Sequence, residues 1–283
     1  MHFHGNVSPG SAAPRTNPYD PAILPQRSIA CGYRYDLGKV FPGFPEARQT
    51  AHPMTSPSLP QVLHELSRHH MAELSPRDRT DFEDELDRLR MMRLAEEALQ
   101  LGDMLPDFAL RDVSGELRTS HEFLDRGPMV LAFFRGGWCP YCALTMVALE
   151  EARPAIEKLG ALAVGIMPEK LERIATSAAD RGIAYPLLGD PANIYARLCG
   201  LAYELSPNHI RIHAERGRDF RKLHENPDGD ATWRLPIPAV FVVAPDARIV
   251  FAFADADPAR WPDPEELVQS LDALRDAHTL SKL

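Results

Sequence analysis

A six-residue apolar run, Met129 to Phe134, has the length and aromatic content of a buried strand and stops at Gly136–Gly137. After Trp138-Cys139-Pro140-Tyr141-Cys142 the apolar spacing becomes helical, through Met146, Leu149, Ile156 and Leu159, with Pro154 inside the pattern and Gly160 after it. Alternation continues with a strand at 161–167, a helix at 169–181, a strand at 185–188 and a helix at 192–199. Residues 203–235 are polar and irregular, which predicts a long loop or an inserted segment over the site. A strand at 239–244, a turn at Pro245–Asp246, a strand at 248–253 and a helix at 264–277 close the chain. Upstream, Phe108, Ala109 and Leu110 give a short strand before a turn at Asp112–Gly115. This order predicts an α/β fold whose sheet is mostly parallel and covered by helices on both faces, with a final antiparallel hairpin.

Two helices precede it, at 59–74 and 76–101. The second starts at a Ser75–Pro76 cap, carries Phe82, Leu86, Leu89 and Leu99 on one face, and ends at Gly102. Its many charges form a solvated face. The pair is an N-terminal helical extension that packs either on the core or on another subunit, so a homodimer fits the pattern. Residues 1–58 are interrupted by proline throughout and read as a disordered or loosely attached tail. Met54, just before the first strong element, is a candidate start of translation. Three parts follow: tail 1–58, helical extension 59–101 and α/β domain 102–283.

Composition narrows the function. A formal charge of −9 over 283 residues argues against nucleic acid and anionic membranes as partners. No run is long enough to span a bilayer, and the first residues lack a basic segment followed by an apolar core. Four cysteines do not make a disulfide scaffold. The expectation is a cytoplasmic enzyme with one working cysteine pair.

That pair is Cys139 and Cys142. A strand, a glycine turn and a helix put both thiols at a helix N-terminus, where free N–H groups and the helix dipole favour a thiolate. Pro140 fits the first helical turn. A zinc half-site is the competing reading, but the second half would have to be His209 and His213, at an unusual spacing. A chance pair of core cysteines is disfavoured by the strand-to-helix junction. Cys199, in a helical apolar context, reads as a buried small side chain, with a distal resolving thiol as the alternative. Cys31 has no assigned role, and His2, His4, His69 and His70 read as solvated. Pro238 enters a strong strand, where proline is unusual; the residues alone favour a trans bond, with a cis bond as the alternative.

Residues 102–274 resemble the thioredoxin-fold superfamily, and within it the AhpC/TSA branch of peroxiredoxin-like proteins. The segments GDMLPDFALRDVSG, FFRGGWCPYC and LPIPAVFVVAPDARIVFAF carry the likeness, together with their order and spacing. The resemblance implies a central mixed sheet flanked by helices, a site at Trp138, Cys139, Cys142 and Pro238, and a cis bond at Pro238. One departure is plain: peroxiredoxins carry P-x-x-x-T-x-x-C, which is absent here. If Cys142 attacks, Cys139 replaces the threonine; if Cys139 attacks, Gly136 stands there. The thioredoxin-like reading makes Cys139 the attacker, more exposed at the helix start, and Cys142 the resolver. The peroxide-binding arginine is open among Arg135, Arg211, Arg216, Arg218 and Arg234. The function implied is a thiol peroxidase acting on hydrogen peroxide or alkyl hydroperoxides and recycled by a thioredoxin- or glutathione-type donor. A general disulfide oxidoreductase for protein partners and a redox sensor are the alternatives. No metal, flavin or nucleotide is called for, since no phosphate-binding glycine loop occurs.

Overall fold

Strand β3 (Met129–Phe133) is buried at every position because both its faces are covered. Its alternate residues serve opposite cores: Val130 and Ala132 on one side, Met129, Leu131 and Phe133 on the other. The computed structural model describes residues 57–224 and 233–280. Most of the expected tail, with His2, His4, Cys31 and Met54, lies outside the described residues.

The sheet is built outward from β3. It pairs in parallel with β4 (Leu162–Met167), which pairs in parallel with β5 (Leu187–Gly189). On the other side it is antiparallel to β8 (Ala239–Val243), which continues into β9 (Ile249–Ala254). Strands β1 (Ala109–Asp112) and β2 (Leu117–Thr119) complete the order β2-β1-β5-β4-β3-β8-β9, with β1 antiparallel to both neighbours. The sheet is therefore mixed. The mostly parallel expectation holds only for β3–β4–β5, because β1–β2 and β8–β9 are joined by turns too short for a crossover.

Helix α5 (Pro140–Lys158) lies on one face with α1 (Leu59–Glu73) and α10 (Pro264–Leu280). α1 buries Leu59, Val62, Leu63 and Leu66 at helical spacing. α2 (Pro76–Met91) starts as expected, Ser75 Oγ accepting from the Asp78 N–H at 3.1 Å. It stops at Met91 and not at 101, because Arg93 takes a left-handed backbone (φ 54°) and α3 (Leu94–Glu97) is separate. No helix among the described residues is long and apolar enough to cross a membrane.

Within the segment expected to be irregular, the described residues 203–224 and 233–235 form regular elements. β6 (Ala202–Glu204) pairs with β7 (Arg234–Pro236), and between them lie α8 (Pro207–Glu215) and α9 (Phe220–Leu223). The helical pattern of α8 is hidden from an apolar count because its buried face is His209, Ile212 and His213. Its Ser206–Pro207 start is the same cap signature as Ser75–Pro76.

Pro238 departs from what the resemblance implied. The Ile237–Pro238 bond is trans: the described residues contain no cis peptide. The chain passes from β7 into β8 with the Ile237 N–H donating to Leu201 O (2.9 Å) and Pro238 O accepting from Asp255 N–H (3.1 Å). Trans is the intrinsically favoured isomer, and these partners are met in it.

α2 is fastened to α8 by charge. Arg211 reaches Asp78 and Asp81 at 2.8 Å each, and Asn208 donates to Asp81 at 2.7 Å. Beneath them Glu85, 2 % exposed, takes Arg88 at 2.8 Å and the Ser206 N–H at 3.3 Å, with His209 Nδ1 at 3.5 Å. Removing one member of such a buried group leaves the others unpaired. Glu85→Ala is expected to cost about 3 kcal/mol of stability, read by urea unfolding, and to strip hydrogen-exchange protection from α2; a loss under about 1 kcal/mol would show that packing alone holds the helix.

Candidate active site

After β3 the chain must turn sharply, and two glycines allow it. Gly136 has φ 145°, and a Cβ there would fall 2.4 Å from Trp138 Nε1; one on Gly137 would fall 2.0 Å from Ser177 Oγ. The Gly137 N–H donates to Glu169 Oε2 at 2.5 Å, and its carbonyl accepts from Arg181 Nη2 at 2.9 Å. Glu169 follows β4 and is buried, which pushes its carboxyl pKa up; Arg181 ends α6 (Leu171–Arg181). The turn is thus clamped between strand and helix.

The clamp sets Cys139 at the N-cap of α5, with Pro140 in the first helical position as the sequence predicts. Cys142 sits one turn further, its Sγ accepting from the Arg135 N–H at 3.4 Å. Both thiols are free and buried, Cys139 at 2 % exposure and Cys142 at 3 %. The expectation that Cys139 is the more exposed is therefore wrong. Trp138, α2 and α8 roof the helix start, and access comes instead from a cleft of about 40 Å³, room for a few water-sized molecules. Cys139 lines that cleft with Arg135, Trp138, His213 and Arg218; His70 and Phe82 reach it from the N-terminal helices.

Charge separates the two thiols. Burial opposes ionisation of Cys139, but the Cys142 thiol, the Arg135 charge, the Cys142 N–H and Arg218 together bring its pKa down to about 6. Burial raises Cys142 well above the ordinary thiol range, and the adjacent Cys139 adds to it. Arg135 is 6 % exposed and, among the described residues, has no carboxylate partner and leaves Nε without a hydrogen bond. Its guanidinium and that of Arg218 lie 5.5 and 5.2 Å from the Trp138 ring centre. His213 and His70 stay neutral near pH 7. Burial, Arg135 and Arg218 hold His213 far below its usual range, and burial with Arg216 and Arg218 lowers His70 to about 4.

The structure brings Trp138, Cys139 and Cys142 together. Pro238 is not among the cleft residues, although Ala239 after it pairs with Phe133 at the end of β3. Of the candidate arginines, Arg135, Arg216 and Arg218 line the cleft, whereas Arg211 is held by Asp78 and Asp81 and Arg234 by Glu204. Cys199 packs in the opposite core from Cys139 and Cys142, where burial raises its thiol pKa to about 12. His70 is not solvated: its Nδ1 lies 3.0 Å from Tyr141 Oη. Sequence reading also missed Glu169, for which no local pattern exists. Among the described residues no three His, Cys, Asp or Glu side chains converge to hold a metal ion.

A titration of thiolate absorbance should show one step near pH 6, absent in Cys139→Ser and moved upward in Arg135→Gln; a step unmoved by Arg135→Gln would remove the guanidinium from the account. The linked stability has a definite sign. Cys139 ionises lower folded than unfolded, so its ionisation favours the fold in full above the ordinary thiol range, and this contribution is lost as pH falls through about 6.

The AhpC/TSA family profile matches residues 101–252, more than half of the chain. A Mycobacterium tuberculosis protein provisionally named a peroxiredoxin, Rv1608c, is 29% identical over 103 residues, 36% of this chain and 67% of its own length. The thioredoxin-like protein YneN of Bacillus subtilis is 32% identical over 111 residues, 38% of this chain and 64% of its own. Among solved structures, peroxidoxin BcpB of Mycobacterium tuberculosis superposes with a TM-score of 0.48 at 22% identity, covering 63% of this chain and 97% of that one. With β3, the cysteine turn, β8 and the first part of β9 inside the matched span, the chain belongs to the AhpC/TSA family.

Proposed function

We propose that the protein is a thiol peroxidase in which Cys139 attacks and Cys142 resolves. The observation that carries this reading is the opposite displacement of two touching thiols beside a guanidinium with no carboxylate partner among the described residues. The Cys139 thiolate attacks one oxygen of hydrogen peroxide or an alkyl hydroperoxide. The O–O bond breaks, Cys139 becomes a sulfenic acid, and the second oxygen leaves as hydroxide or alkoxide and is protonated. Cys142 then attacks the sulfenic sulfur, water departs, and a Cys139–Cys142 disulfide remains. A thioredoxin- or glutathione-type thiol returns two electrons by exchange.

With Cys139 as attacker, Gly136 stands where peroxiredoxins have threonine, so no hydroxyl is available at that position. Arg135 and Arg218 support both the thiolate and the leaving oxygen, and both guanidinium groups lie against the Trp138 ring. A general disulfide oxidoreductase is the second reading, favoured by an attacker at the helix N-cap with its partner one turn inside.

One equivalent of peroxide followed by mass spectrometry separates the roles. Cys142→Ser should accumulate sulfenic acid on Cys139, and Cys139→Ser should lose peroxide consumption by about a thousandfold or more, as removal of a nucleophile does. Sulfenic acid on Cys142 in Cys139→Ser would reverse the assignment. Wild-type oxidation no faster than that of free cysteine would leave the oxidoreductase.

A further inference from the structure

The cleft holds more positive charge than a neutral peroxide requires. Arg135 is buried at its floor, Arg218 is half-buried on its wall and Arg216 is exposed at its mouth. None of the three makes an ion pair with a carboxylate among the described residues, in a chain where most other arginines of the described region do. The one acidic residue lining the cleft, Asp78, is already engaged by Arg211. His70 and His213 are neutral near pH 7 and offset nothing. Of the side chains lining the cleft, Arg135 leaves Nε and His213 leaves Nε2 buried without a hydrogen-bond partner among the described residues. A graded line of cations from solvent to the reacting sulfur concentrates anions there.

The roof adds a size limit. α1 and α2 close the cleft from one side and α8 from the other, joined through Arg211, Asn208 and Glu85. Only about 40 Å³ is open to the centres of water-sized molecules beneath this roof, which favours the reacting end of a small thiol over the surface of a folded protein.

We infer that the cleft is also the binding site of the reductant, and that this reductant is a low-molecular-weight thiol bearing carboxylate, whose anionic groups pair with Arg216 and Arg218 while its sulfur reaches Cys139. This rests on the proposed disulfide cycle and names its donor class. The thiol attacks as a thiolate at Cys139 Sγ, the sulfur that lines the cleft. The Cys139–Cys142 bond breaks, a mixed disulfide forms on Cys139, and Cys142 leaves as a thiolate and takes a proton. A second thiolate attacks the outer sulfur of the mixed disulfide, releases the small disulfide and restores the Cys139 thiolate. Two donor thiols supply the two electrons.

The test isolates the reductive half. Full-length protein is oxidised with diamide, which makes the disulfide whether or not peroxide does, and is then reduced with 3-mercaptopropionate, 2-mercaptoethanol, cysteamine or a thioredoxin. Rates are compared at equal thiolate concentration. The carboxylate thiol should be faster than the neutral one by about tenfold or more, the scale of electrostatic steering, and cysteamine slower still. The preference should shrink in high salt and in Arg216→Ser, an exposed position where folding is not at risk. Equal rates for the charged and neutral thiols would overturn the anion site. A thioredoxin outrunning 3-mercaptopropionate at equal concentration would overturn the size limit and make the roof a moving part. Failure of peroxide to oxidise the pair, with the thiol preference intact, would count against the peroxidase reading and not against this one.

Discussion

A guanidinium buried beside a thiol, with no carboxylate partner among the described residues, is the constraint around which the site is arranged. Burying a cation alone costs several kcal/mol, so Arg135 is tolerated only where an anion can form next to it. Cys139, whose thiol pKa this guanidinium helps to lower, is the group placed to form that anion. The same pair explains why Cys142, equally buried and one turn away, stays protonated: the positive field is already matched, and a second negative charge would be unscreened. The Cys142 N–H at the helix start adds to this on the Cys139 side, whereas the Cys142 thiol takes the Arg135 N–H.

Holding that pair in register is the work of groups with no direct chemistry. The Gly136–Gly137 turn admits no side chain, and Glu169 and Arg181 grip its N–H and carbonyl from two different elements. The Trp138 ring then receives both guanidinium groups, so one aromatic side chain fixes a floor residue and a wall residue together. The site depends on β3, β4, α6 and the α8–α9 segment at once. A local change in any of them reaches the sulfur.

The N-terminal helices are part of this arrangement and not an ornament of it. α2 brings Phe82 and Asp78, α1 brings His70, and the ionic contacts to α8 keep these over the cleft. The consequence is a thiolate sheltered from bulk water yet reachable by small molecules. Shelter strengthens the Arg135–Cys139 attraction, because the field between them is not screened by solvent.

Much of this was legible in the residues. The apolar run of β3, the glycine pair, the cysteine spacing and Pro140 specify a strand, a turn and a helix whose N-cap is Cys139, because each of those signals acts over only a few residues. The αβ alternation and the closing hairpin likewise follow from local pattern, as does the start of α2. What local pattern could not decide is whatever depends on partners distant in sequence. Arg93 ended a helix that periodicity extended, and histidines formed a buried helical face that an apolar count passes over. Pro238 is trans, against the family likeness. Arg135 and Arg218, 83 positions apart in the chain, converge on one tryptophan, and only the folded sheet with its inserted helices brings them there. Charge acts through space, so which thiol ionises was settled by tertiary structure, while the sequence alone determined that two thiols would stand at a helix start.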